Sequence, residues 1–144
     1  MNDTERRALL DALDAEYAAV YAYGVIAAFA SAERTRLIAE YTAAHRARRD
    51  TTIDALAAAG VKVPPPDAAY TAPSPVDDPI PAARFAVTVE SDTAVAWRAL
   101  VERADTIDLR RTGVDALTEC AVRLATWQQI LGTTPPTTAF PGKA

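Results

Sequence analysis

Apolar residues recur along four stretches of the chain at spacings of three and four, the period of a helix with one buried face. The first seam runs Leu9, Leu13, Glu16, Val20, Tyr23 and Ala27, with Asp3 or Thr4 placed to cap its start. The second runs Ile38, Tyr41, His45, Arg48 or Arg49, Thr52 and Leu56, and Gly60 is placed to end it. Ser31 marks a short turn between them. The third begins near Pro81, a good first-turn residue, and runs Ala83, Val87, Glu90, Ala94, Trp97, Val101 and Ala104. Asp105 then caps a fourth, with Val114, Leu117, Ala121, Leu124 and Leu131 as its stripe, Glu119 and Val122 beside it, and Gly132 at its end.

Between the two pairs lie residues 61–81, whose seven prolines forbid a helix. In extended polyproline form, about 20 residues reach about 60 Å, whereas a helix of about 27 residues is about 40 Å long. The segment can therefore run the length of a bundle, with Tyr70 as its anchor. Neither flank buries a core alone, so residues 1–132 form one domain, and the proline-rich 133–144 a flexible tail. Short, long and short connections give the expected fold class. It is all-α: a ferritin-like four-helix bundle of two antiparallel helical hairpins joined by a long proline-rich crossover.

Composition narrows this further. Half of the 144 residues are hydrophobic, chiefly alanine, and runs of β-branched residues are missing, which disfavours a sheet. A net charge of −4 disfavours nucleic acid as a partner. Cys120 is the one cysteine, so neither an internal disulfide nor a zinc spacing exists. The charged N-terminus lacks a signal-type apolar stretch, and the uncharged run Tyr17–Ala32 is too short and tyrosine-rich to span a membrane. The expectation is a cytoplasmic protein without membrane or nucleic-acid partners.

The chemistry lies where seams turn polar. Glu16, His45 and Glu90 occupy positions that call for apolar residues, and Glu119 flanks the fourth stripe. In a helical hairpin, residues equidistant from the turn face each other. Glu16 and His45 lie about 14 or 15 residues from Ser31, and Glu90 and Glu119 the same from Asp105. All four therefore fall near mid-bundle.

The segments EYAAVYAYG, HRARRD, GVKVPPPDAAY and LATWQ resemble a small ferritin-like domain family of unknown function, found mainly in actinobacteria, over most of residues 5–131. The resemblance implies the fold and no particular reaction. Ferritin-like metal proteins hold two metals with a Glu from each of two helices and a Glu-x-x-His from each of the other two. Here Thr42-Ala-Ala-His45 keeps only the histidine, and Glu119-Cys-Ala-Val122 only the glutamate. Glu16, His45, Glu90 and Glu119 remain as candidate ligands, a set suited to a single Fe, Mn or Zn ion. Iron storage is not expected with two ligands missing. The competing arrangement has no cofactor: Arg48 or Arg49, one turn from His45, points inward and neutralises the carboxylates in a hydrogen-bonded Glu–His–Arg cluster.

Other residues read as structural. Tyr17, Tyr21 and Tyr23 pack around Glu16 with satisfied hydroxyls. Trp97 and Trp127 are core or interface anchors, and Cys120 is a small core residue. The run Arg46–Arg49 is a solvated face. Gly24 costs about 1 kcal/mol against Ala inside a helix, which points to close helix packing there. The segment Tyr21-Ala-Tyr23-Gly24, with Ala18, Ala22 and Ala28, gives a small-residue face that suits an internal helix or a dimer mate. The functional reading is a structural or interaction bundle, homodimeric, with a degenerate carboxylate/histidine centre. The alternatives are a mononuclear non-haem metal protein or oxidase, and a small-ligand binder in which Arg49 meets an anion.

Overall fold

Four helices account for most of the computed structural model, which describes residues 1–144: α1 (Asp3–Phe29), α2 (Thr35–Ala58), α3 (Pro79–Arg103) and α4 (Ile107–Ile130). A 3-10 turn, Ala32–Arg34, follows Ser31 between the first two, and there is no strand. The fold is the expected bundle of two hairpins with a long crossover.

The helix starts differ from expectation by one or two residues, each for a local reason. Asn2, not Asp3 or Thr4, caps α1: its side chain accepts from the Glu5 amide, and the Glu5 carboxylate accepts from the Asn2 amide. The second Glu5 oxygen accepts the Asp105 amide at 2.8 Å, and the Asn2 side chain donates to Asp105 Oδ2 at 2.6 Å. Asp105 thus ties the α3–α4 turn to the N-terminus, and Thr106 caps α4 by accepting from the Leu109 amide. α3 starts at Pro79 under an Asp78 cap. Pro79 and Pro81 both fit its first turn, where amides have no partner within the helix. Gly60 and Gly132 follow the ends of α2 and α4 in the left-handed conformation that suits glycine, at φ 71° and 76°.

α1 packs on α2 and α3, and α3 on α4. α2 and α4 meet mainly through long side chains, leaving a seam that Tyr41, Arg48, Glu119 and Trp127 bridge. The crossover runs along the bundle. Val61 and Val63 pack on the apolar cluster of Leu9, Leu13, Leu56 and Trp97. Ala72 and Val76 pack on the other cluster, around Ile26, Ile38 and Phe85. Tyr70 is an anchor as expected, its ring 5.7 Å from that of Tyr21. Tyr17 adds a second by donating to the Pro64 carbonyl. The tail lies along α3, where Arg98 donates to the Phe140 and Pro141 carbonyls.

The close helix approach is not at Gly24, which is exposed with nothing near it. It is at Gly113, where an added Cβ would lie 2.8 Å from Val101 Cγ2 and 3.3 Å from the Val101 amide nitrogen. The two apolar clusters do not merge. Between them lies a layer of buried polar side chains.

Candidate functional site

Each helix contributes to that layer. Glu16 on α1, His45 on α2 and Glu90 on α3 are all sealed from solvent, and Arg123 on α4 is 7% exposed. His45 Nδ1 lies 2.7 Å from Glu16 Oε2, and Nε2 lies 3.0 Å from Glu90 Oε1. An imidazole flanked by a carboxylate on each side is matched when both nitrogens carry protons. Arg123 Nε reaches both Glu90 oxygens, at 3.0 and 3.1 Å.

The remaining acceptors are filled from the core. Trp97 donates its indole N–H to Glu16 Oε1 at 2.7 Å. Tyr23 donates its hydroxyl to Glu90 Oε1 at 2.6 Å and accepts the indole N–H of Trp127 at 2.9 Å. Every oxygen of both glutamates thus accepts at least one hydrogen bond. Two carboxylates, an imidazolium and a guanidinium sum to zero charge, which lets the layer sit in a low-dielectric core.

The proton affinities follow from these contacts. Burial lowers the pKa of His45, but the hydrogen bonds to Glu16 and Glu90 outweigh it and bring it up to about 9. Burial favours a protonated Glu90, yet bonds from His45 and the charges of His45 and Arg123 hold it below the ordinary carboxylate value. Burial and the Glu90 charge push the Tyr23 hydroxyl upward. They do the same to the Cys120 thiol, whose sulfur lies 3.4 Å from Arg123 Nη2, so Cys120 is a core thiol and not a nucleophile.

Three of the four candidate ligands therefore converge. Glu119 does not: its side chain is 47% exposed and accepts from Arg48 at 2.7 Å on the bundle surface. Nor do the expected arginines enter the core. Arg48 lies over the Trp97 ring, and Arg49 donates to Asp50. The inward positions of α2 are 38, 41, 45, 52 and 56, which puts 48 and 49 on its flanks. The guanidinium comes instead from Arg123.

Arg123 lies off the apolar stripe that the sequence predicts for α4, because the helix buries a different face. The buried row is Gly113, Ala116, Cys120, Arg123, Leu124 and Trp127, whereas Val114 and Val122 are exposed. A row of glycine, cysteine and arginine does not read as apolar, while its neighbour with two valines does. Trp127, one turn beyond Arg123, was the available signal. In this register the α4 counterpart of a Glu-x-x-His pair is Cys120-x-x-Arg123, with a guanidinium at the histidine position.

Residues 8–144 match the family described as a domain of unknown function, DUF4439. Among solved structures, the chain is similar to a conserved hypothetical protein, rv2844, from Mycobacterium tuberculosis. The two are 43% identical over 96% of this chain and 97% of the other, with a TM-score of 0.88. No curated protein matches this sequence significantly. No helix is long and apolar enough to cross a membrane.

Proposed function

We propose that this chain, which belongs to the DUF4439 family of domains of unknown function, is a ferritin-like bundle that works without a metal. Its central layer is a neutral ion-pair cluster that holds four helices in register, and the protein acts as a structural or interaction module, not in iron oxidation or storage.

One observation carries this reading: the Arg123 guanidinium sits on Glu90. A divalent ion at the layer would face that fixed positive charge. It would also have to take a proton from His45 and displace the donors Trp97 and Tyr23 from the carboxylates. The donor set present does not suit it.

The competing reading is a mononuclear site built from Glu16, His45 and Glu90, and what favours it is their convergence from three helices. Elemental analysis of protein purified without chelator, beside a His45→Ala variant, separates the two. The proposal expects less than a tenth of an equivalent of Fe, Mn or Zn in the wild type. A stoichiometric metal that the variant loses would establish the mononuclear site.

The interaction role extends to a homodimer. Tyr21, Gly24 and Ala28 lie on the outer face of α1, which carries no charged residue between Glu16 and Ala32. Sedimentation of the wild type and of Gly24→Arg tests it: a dimer that the variant dissociates supports this face, and a wild-type monomer rejects it.

A further inference from the structure

The crossover borders a second feature, a half-open cleft independent of the ion-pair layer. A cavity of about 280 Å³ lies between α1 and α3 beneath residues 70–73. Its floor is a row of alanines on α1, Ala15, Ala18, Ala19 and Ala22, about two per helical turn and none large enough to fill the space. Phe85 and Val89 of α3 form the far wall, and the Tyr70 ring and Pro73 form the roof. The roof is fixed in place: the Tyr70 ring rests on Tyr21, and its hydroxyl accepts the Asp67 amide at 3.2 Å. The volume is at the small end of what ligand pockets use, and the mostly apolar lining with few polar groups is their usual make-up.

The charge of the lining is one-sided. Asp92, at the α3 edge, is its single ionisable carboxylate, and no lysine or arginine lines the cavity. Asp92 makes no hydrogen bond or ion pair with the rest of the chain. Asp92 stands exposed at the rim, and its partial burial raises its pKa with nothing to offset the effect. The charges of Asp14 and Asp67 act on Tyr70 at the roof and add to the negative field. A carboxylate without a counter-ion at the rim of a cleft that the Phe85 and Tyr70 rings also line selects for a cation carrying an apolar body. Arg49, the residue that could have met an anion, is occupied by Asp50.

We propose that this cavity binds a small hydrophobic amine in its ammonium form, with the cation on Asp92 and the apolar body between Phe85, Tyr70 and the alanine floor. The alanines make room for the ligand, and Tyr70 and Pro73 of the crossover border it.

Calorimetric titration of the full chain with 2-phenylethylammonium at pH 7 tests the site, with 2-phenylethanol as the neutral counterpart and 3-phenylpropanoate as the anionic one. The expected result is saturable 1:1 binding of the ammonium compound, at least tenfold tighter than the alcohol, with the carboxylate silent. Asp92→Asn is expected to weaken the ammonium compound at least tenfold. Ala18→Leu, a helix-compatible change that fills the floor, is expected to abolish binding while circular dichroism shows the fold retained. No binding to the wild type overturns the proposal. So does equal binding of the alcohol, or undiminished binding to either folded variant.

Discussion

Arg123 on α4 and Glu90 on α3 are joined through a single guanidinium Nε that reaches both carboxylate oxygens, at 3.0 and 3.1 Å, in the interior of the bundle. The pair fixes α3 to α4 at mid-height, as His45 fixes α2 to α1 and α3 through Glu16 and Glu90. Neither half is self-sufficient. Two buried carboxylates need two cations, and the chain supplies one from α2 and one from α4.

Arg123→Met removes one of those cations and leaves Glu90 undercompensated. Breaking a buried ion pair from one side costs about 3–5 kcal/mol. Urea unfolding is expected to show a loss in that range. Arg123→Lys, which keeps the charge but not the guanidinium fork, is expected to recover part of it. A loss under 1 kcal/mol for Arg123→Met would mean that the pair does not hold the core.

His45 makes stability depend on alkaline pH. Its pKa is about 9 in the folded protein, against an ordinary 6.5 in the unfolded chain. A group with a raised folded value contributes fully below the unfolded pKa, and the contribution fades as pH rises through the folded one. The gap between the two values corresponds to about 3 kcal/mol. Unfolding free energies measured from pH 6 to 10 are expected to fall by that order, with most of the fall between about pH 6.5 and 9. In His45→Gln this pH dependence is expected to vanish. Glu90, held low, adds a second loss on the acid side as pH falls below the ordinary carboxylate range.

Gly113→Ala tests the close approach of α3 and α4. The new methyl would lie 2.8 Å from Val101 Cγ2 and 3.3 Å from the Val101 amide nitrogen. Val101 is β-branched and stiff at χ1, so the strain is shared with the backbone. Overpacking of this kind costs about 1–3 kcal/mol, more than the helix propensity gained. Thermal unfolding is expected to show a lower midpoint for Gly113→Ala.

Gly142→Ala is expected to release the tail. Its φ of 74° disfavours a side chain, and an added Cβ would meet the Ala94 carbonyl oxygen. Limited proteolysis should cut residues 133–144 faster in the variant than in the wild type while leaving residues 1–132 intact.

The seams of α1, α2 and α3 were legible because each polar insertion was set among true core neighbours. Glu16 lies between Leu13 and Tyr23, His45 between Tyr41 and Leu56, and Glu90 between Ala83 and Ala94, all buried, while Ala27, expected at the end of the α1 seam, is exposed. The crossover was legible from proline chemistry alone. α4 was not. Its inner row gains its stability from close backbone approach at Gly113 and from charge pairing at Arg123, and neither registers as hydrophobicity. Its outer valines do register, so the stripe was read one residue out of place, and Glu119 came with it. The roles of Trp97 and Trp127 as donors were hidden for a related reason. Periodicity locates an indole ring in the core but says nothing of where its N–H points.

The protonation of His45 in the presence of metal tests the central claim most directly. Nitrogen-15 NMR of the imidazole at pH 7, before and after an equivalent of zinc, reads both ring nitrogens at once. The account predicts two protonated nitrogens, unchanged by zinc, with deprotonation only near pH 9. A nitrogen that loses its proton and shifts on adding zinc would contradict it, and would make Glu16, His45 and Glu90 a metal site.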